Sequence, residues 1–232
     1  MKTEIYCDSA DLKTIRKLNK NPIVDGFTTN PSLMKLSGAK NYKKYSLKLL
    51  KVCKKKPISL EVFADSKDEM LKQAKKINSW GKNVYVKIPI SNSKGLFAGK
   101  VIKKLNSENI KLNITAVYNS KQTERVLKII NKKTKVIISI FAGRAGDTGK
   151  DSIPEFKKSI AMAKKFKNVK ILWASVREPY NYLQAKQLGC QIITIPPSII
   201  EKIENFGKSF DKLNKETVIT FLKDSKKSKF QI

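Results

Sequence analysis

ISLEVFADSKDEMLKQAKKINSWGKNVYVKIPI, residues 58–90, contains one whole repeat of a strand–helix–strand pattern. ISLEVF (58–63) and NVYVKI (83–88) are short runs rich in Val and Ile, the composition of strands covered on both faces. Between them, SKDEMLKQAKKINSW (66–80) places apolar residues at i, i+3 and i+4, the stripe of an amphipathic helix. Asp65 and Ser66 are candidate N-caps, and Gly81 stands where the helix should stop. One residue is out of place: Lys87 sets an ammonium ion inside an apolar strand.

The pattern recurs along the chain. Further strands are predicted at TEIYCD (3–8), IVDGFT (23–28), KLNITAV (111–117), KVIISIF (135–141), VKILWAS (169–175) and QIITI (191–195). Helical patterns fill the intervals, as in SIPEFKKSIAMAKKF (152–166), where Pro154 sits in the tolerated first turn, and Gly189 marks another stop. Eight such units in 232 residues fit a closed (β/α)8 barrel of the TIM type. An open doubly wound sheet usually stops at five or six strands, and no GxGxxG follows the first strand. No composition break suggests a second domain, so residues 1–232 are expected to form one α/β barrel domain. The very basic segment 205–232 is expected to add a C-terminal helical extension.

Composition narrows the chemistry. There is no histidine, which removes serine–histidine triads, His-ligated zinc and any imidazole base. Acid–base work must then fall to carboxylates, lysine, tyrosine or water. Cys7, Cys53 and Cys190 are odd in number and far apart, which argues for a reducing compartment rather than a disulfide framework. No apolar run approaches the ~18 residues that cross a membrane. MKTEIYCDSADLK lacks the apolar core of a secretory leader, and a cytoplasmic location is expected. The formal charge of +30 admits nucleic-acid binding. But the excess is spread from end to end, and only Arg16, Arg125, Arg144 and Arg177 among 49 basic residues are arginine. A solvated lysine surface without specific nucleic-acid binding is the expected reading.

In a (β/α)8 barrel, catalytic groups stand at the C-terminal ends of the strands. Strand one ends in Asp8, strand two runs into Thr28, Thr29 and Asn30, and strand three carries Glu61. Lys87 is on strand four, Asn113 and Thr115 on strand five, Ser139 on strand six and Ser175 on strand seven. A lysine in an apolar interior loses hydration of its charged form, which favours the neutral, nucleophilic amine. Such an amine condenses with a carbonyl to a Schiff base, an electron sink. The competing reading is a structural ion pair of Lys87 with Glu61 or Asp8. Bland readings also exist for Asp8 as a helix N-cap, Arg144 as a loop salt bridge and Asn30 as turn chemistry. Cys7, Trp80 and Trp173 read as packing residues.

At these positions the chain resembles a known family. DGFTTNPSL (25–33) and VKIP (86–89) look like the two signatures of the transaldolase family of class I, Schiff-base aldolases. IYCDSAD (5–11), KLNITAVY (111–118), SIFAGRAGDTG (139–149) and ILWASVREP (171–179) are similar to further family blocks, in order. The resemblance implies that Lys87 forms the Schiff base and that Asp8 takes the proton of the sugar C4 hydroxyl. It implies a proton-shuttling water held by Glu61 and Thr115. Asn30 and Ser139 would bind the three-carbon unit, with Thr29 and Asn113 close by, and Arg144, Arg177 and Ser175 would hold the substrate phosphate. Two arginines on neighbouring strands also suit a bidentate phosphate clamp on physical grounds alone.

Within that family, transaldolases transfer a dihydroxyacetone unit between sugar phosphates, whereas fructose-6-phosphate aldolases release it. Transfer members resemble this chain in carrying Glu at 61 and Phe at 141; the aldolase type has Gln and Tyr. The expectation is therefore a transaldolase working without metal or cofactor, with the aldolase as alternative. A basic barrel that binds nucleic acid without catalysis is the reading from another class. The resemblance also implies a homo-oligomer in which the C-terminal helix packs on a neighbour. SNSKGLFAGK (91–100) is longer than in the shortest members.

Overall fold

In the computed structural model, which describes residues 2–228, eight parallel strands close into a barrel in the order β1 to β8, with β8 returning to β1. They are β1 Glu4–Asp8, β2 Val24–Thr28, β3 Ile58–Glu61, β4 Val84–Pro89, β5 Leu112–Val117, β6 Val136–Phe141, β7 Val169–Ala174 and β8 Ile192–Ile195. All eight predicted strands are present, with ends displaced by no more than two residues. The principal crossover helices are α1 Leu12–Asn19, α3 Tyr42–Val52, α4 Lys67–Asn78, α5 Gly99–Ser107, α6 Ser120–Leu127, α8 Ile153–Ala163, α9 Tyr180–Gln187 and α10 Pro197–Ile203. Two short helices, α2 Pro31–Leu36 and α7 Ala142–Gly146, sit in the loops after β2 and β6.

Local signals account for the boundaries. Ser66 caps α4, while Asp65 instead accepts from the Ser93 amide and hydroxyl, tying down the loop after β4. That loop is pinched by an isolated bridge between Ser91 and Phe97. Asn30 caps α2, and Asn119 with Gln122 forms a capping box on α6. Gly189, at a φ of 71°, turns the chain out of α9.

Strand alternation divides the apolar residues into two layers. Outward residues such as Leu60, Val86, Ile88 and Ile114 are fully buried against the helices. Inside the barrel, Tyr6, Ile137, Leu172 and Ile192 form a separate apolar plug, leaving the C-terminal end to polar groups. Register places Lys87 between Glu61 on β3 and Asn113 on β5, so three polar side chains face inward side by side.

The expected extension contains α11, Phe210–Ser228, which buries none of its residues; Phe210 is 89% exposed. Residues 229–232 of that expected segment lie outside the described residues. No described helix is long and apolar enough to cross a membrane.

Candidate active site

Lys87 is 7% exposed, between Val86 and Ile88, which are wholly buried. Its Nζ lies 3.1 Å from Glu61 Oε2 and donates to the Thr29 carbonyl at 3.1 Å. The ion pair anticipated as the alternative reading of Lys87 is thus present, with Glu61 rather than Asp8 as partner. It does not seal the lysine off. Lys87 lines a cleft of about 190 Å³ on the C-terminal face, together with Asp8, Asn30, Thr115 and Ser139.

Asp8 does not cap α1; Asp11 does. The Asp8 carboxylate accepts from the Thr28 hydroxyl at 2.7 Å, and Thr28 in turn bonds Thr194 at the end of β8. Burial pushes the Asp8 carboxyl above its ordinary value, while the Lys87 charge and the Thr28 hydroxyl pull it part of the way back. The Asp8 carboxyl and the Lys87 amine thus share one cleft, with the lysine charge acting on the carboxyl.

Two expected substrate residues are not on the cleft wall. The Thr29 hydroxyl donates to the Ser59 carbonyl at 2.9 Å, and its side chain is fully buried. Asn113 is fully buried and bridges Ser59 and Ser139: its amide donates to Ser59 Oγ at 2.9 Å, and its Oδ1 accepts from Ser139 Oγ at 2.6 Å. Both stand behind the groups that face the cavity. Asn30 does double service, its Oδ1 accepting from the Leu33 amide at 2.9 Å while the residue also lines the cleft. Among the described residues the Thr115 hydroxyl is buried without a partner. Such a group is a natural anchor for a bound water or hydroxyl.

At the cleft rim, Phe141, Arg144, Ser175 and Arg177 come together from the ends of β6 and β7. Ser175 adopts a left-handed φ of 63° and accepts the Arg144 amide on its Oγ at 3.0 Å. The chain can approach this closely only because residue 143 is glycine: a Cβ there would stand 1.8 Å from the Ser175 carbonyl oxygen. The Arg144 guanidinium lies 5.8 Å from the Phe141 ring centroid. The loop salt bridge anticipated for Arg144 belongs instead to Arg177, whose fork holds the Asp147 carboxylate, Nε at 3.0 Å from Oδ1. Asp147 is the carboxylate that α7 brings into reach of Arg177. The hydrogen bonds from Arg177, and then its charge, hold Asp147 below the usual carboxylate range.

Several contributors go beyond the predicted set. Thr194 and Ala174 line the cleft, and Thr194 obeys the same strand-end rule as the predicted Thr28, which also lines it. Tyr42 carries no such signal. From α3 its hydroxyl donates to the Glu61 carbonyl at 2.8 Å and accepts the Glu61 amide at 2.9 Å, taking the place β2 leaves vacant after Thr28. Burial raises the Tyr42 hydroxyl well above the ordinary tyrosine value, which keeps it a donor. Tyr42→Phe leaves both Glu61 backbone groups without a partner, at about 1–3 kcal/mol for each such group. A lowered melting temperature with reduced turnover is the expected result. Unchanged stability would mean that water replaces the hydroxyl.

A closed (β/α)8 barrel with an inward lysine paired to Glu61, opening on an arginine-rimmed cleft shared with Asp8, defines a class of barrels with a lysine-bearing cleft. Within that class the chain belongs to the transaldolase/fructose-6-phosphate aldolase family, whose sequence profile matches residues 5–232. A probable transaldolase of Nitrosopumilus maritimus is 32% identical over 225 residues, covering 92% of this chain and 97% of that protein. Another from Thermoplasma volcanium is 33% identical over 227 residues, covering 97% and 96%. Among solved structures, the orotidine 5'-monophosphate decarboxylase of Metallosphaera sedula superposes with a TM-score of 0.56 at 14% identity, covering 88% of this chain and 96% of that one. N-acetylneuraminate lyase of Mycoplasma synoviae gives 0.54 at 11%, covering 82% and 68%. These two likenesses speak to the fold alone.

Proposed function

We propose that the protein is a transaldolase that moves a dihydroxyacetone unit from a ketose phosphate to an aldose phosphate. The donor and acceptor would be sedoheptulose 7-phosphate and glyceraldehyde 3-phosphate, giving erythrose 4-phosphate and fructose 6-phosphate. The observation that carries this reading is Lys87: a buried lysine that still faces a cleft shared with Asp8, Arg144 and Arg177. Its amine would add to the ketose C2 carbonyl, and loss of water from the carbinolamine would leave an iminium. Glu61, paired to Lys87, and the Thr115 hydroxyl, which has no hydrogen-bond partner among the described residues, would hold the water that carries these protons. Asp8 would take the C4 hydroxyl proton, the C3–C4 bond would break, and its electron pair would pass into the iminium to give an enamine. The aldehyde leaves, the enamine adds to the incoming aldose, and water hydrolyses the new iminium. Asn30 and Ser139 would bind hydroxyls of the retained unit, with Asn113 fixing Ser139 and the Thr29 carbonyl fixing Lys87.

Transfer is favoured over aldol cleavage because no described tyrosine lines the cleft. Tyr118 packs on Phe141 with centroids 5.8 Å apart but is not a cleft residue, so no phenol is placed to protonate the enamine and free dihydroxyacetone. A coupled assay with fructose 6-phosphate tests the choice. Turnover that depends on an added aldose phosphate is expected; equal turnover without it would establish the aldolase reading.

Arg144→Met and Arg177→Met should each raise KM for phosphorylated donors about tenfold to a hundredfold, the scale of a lost charge-assisted hydrogen bond. Turnover of unphosphorylated dihydroxyacetone as donor should be nearly untouched. A parent KM for fructose 6-phosphate in both variants would place the phosphate elsewhere. On this reading residues 1–232 form one barrel domain with 205–232 as its extension, working in the cytoplasm. The exposed apolar residues of α11, Phe210 and Phe221 among them, would be covered in a homo-oligomer.

A further inference from the structure

At the opposite end of the barrel, where the strands begin, a second cavity of about 490 Å³ opens among lysines. Five consecutive strand starts contribute one each. Lys55 and Lys82 come from the loops entering β3 and β4, Lys111 and Lys135 immediately precede β5 and β6, and Lys170 lies in β7. The floor is formed by Tyr6 and Tyr85. No arginine lines the cavity.

The acids at this mouth are already engaged. Glu4 pairs with Lys170, and Asp25 pairs with Lys2 at 2.9 Å while accepting the Ile5 amide at 3.0 Å. Among the described residues Lys55, Lys82, Lys111 and Lys135 form no ion pair. Lys111 is drawn inward, its ammonium donating to the Lys82 carbonyl and standing 5.3 Å from the centre of the Tyr85 ring. Burial, then the neighbouring charge of Lys135, lower its hold on its proton. Elsewhere a few lysines meet acids, as Lys128 meets Glu124 at 2.7 Å, and most of the others stand apart on exposed surface. Here cations converge on one concave space without matching anions, which opposes folding unless an anion enters.

We propose that the N-terminal mouth of the barrel is a binding site for a small anion bearing a diphosphate group. Lysine ammoniums are point charges suited to phosphoryl oxygens, whereas planar carboxylates are matched better by arginine forks. One phosphoryl group carries about −1.5 to −2 at neutral pH, so two of them balance four unpaired lysines. The cavity volume lies in the range of small-ligand sites, roughly 300–1,000 Å³. This site is separate from the Lys87 cleft and does not depend on the sugar-phosphate reading.

Calorimetric titration of the full chain with inorganic pyrophosphate at fixed ionic strength tests the proposal. Affinity for one site should fall at least tenfold in Lys111→Met/Lys135→Met and persist in Arg144→Met/Arg177→Met. Turnover in Lys111→Met/Lys135→Met should match the parent. Lys55→Met/Lys82→Met, in exposed loop positions, serves as a second variant pair if the first does not fold. A nucleoside diphosphate bound as tightly as pyrophosphate identifies the diphosphate alone as the ligand; tighter binding adds a base on the tyrosines. The proposal is overturned if neither lysine pair changes the titration, or if Lys212→Met/Lys215→Met on α11 weakens it equally. Either result would show diffuse attraction to a basic chain.

Discussion

Lys87→Met is expected to abolish turnover, a loss of about 10⁴-fold or more, and with it every trace of covalent trapping. In the parent, incubation with fructose 6-phosphate and then borohydride should reduce one iminium per chain. A Schiff base on one lysine among many requires a site that holds the ketose against that amine, so selective trapping picks out the lysine that faces the cleft. The adduct should have the mass of a three-carbon unit and map to Lys87, although 44 other lysines stand among the 49 basic residues, of which four are arginine. Methionine suits the apolar strand in shape, but it leaves Glu61 without its partner 3.1 Å away, at side-chain exposures of 9% and 15% for the two. Breaking a buried pair on one side costs about 3–5 kcal/mol. Lys87→Met should therefore melt early, and Lys87→Met/Glu61→Gln should recover much of that loss while remaining inactive. That pairing of results separates chemistry from folding. An adduct on a surface lysine, or parent activity in Lys87→Met, would leave Lys87 as a structural charge only.

The barrel was legible because both of its signals are local. Val- and Ile-rich runs alternate with 3.6-period stripes, and each strand's inward set follows from the two-residue alternation once one end is assigned. The polar strand ends follow from the same rule, which points Asp8, Lys87, Thr115 and Ser139 toward the one cleft they line. What stayed hidden was pairing. Nothing in TTNPS says that the Thr29 carbonyl, rather than its hydroxyl, would hold Lys87. Asn113 was expected beside the substrate, yet its short amide is consumed by Ser59 and Ser139. Backbone acceptors and cross-strand bonds leave no pattern in the residues that make them. Tyr42 was hidden for a related reason: it lies on a helix stripe and reads as packing, while its hydroxyl repairs a strand edge 19 residues further on. GRAGDTG is too short and too glycine-rich to show helical periodicity, so α7, and with it the proximity of Asp147 to Arg177, required coordinates.

Asp8→Asn should divide the reaction at its carbon–carbon bond. The amide preserves the shape of the carboxylate and can still accept from Thr28, whose hydroxyl is 2.7 Å away, so the cleft should keep its form. Lys87 remains free to condense with the ketose, but no base is left for the C4 hydroxyl. Borohydride should therefore trap the intact six-carbon sugar phosphate, and turnover should fall by about 10²–10⁴-fold, the scale of a lost general base. Stability should move the other way. Burial raises the Asp8 carboxyl in the fold, so its protonated form is the one folding favours. That contribution is complete below the unfolded value and is lost as pH rises through the higher folded value. At neutral pH, above the unfolded value, the buried Asp8 is thus a net cost, its burial only partly offset by Lys87 and Thr28. Asp8→Asn should melt higher than the parent at neutral pH, with the advantage shrinking to nothing in acid. The parent's turnover should in turn fail on the acid side at a pH above that of an ordinary aspartate, because the base must be ionised to act. A three-carbon adduct formed by Asp8→Asn at the parent rate would show that another group takes the proton and that Asp8 is only a buried neighbour of the lysine.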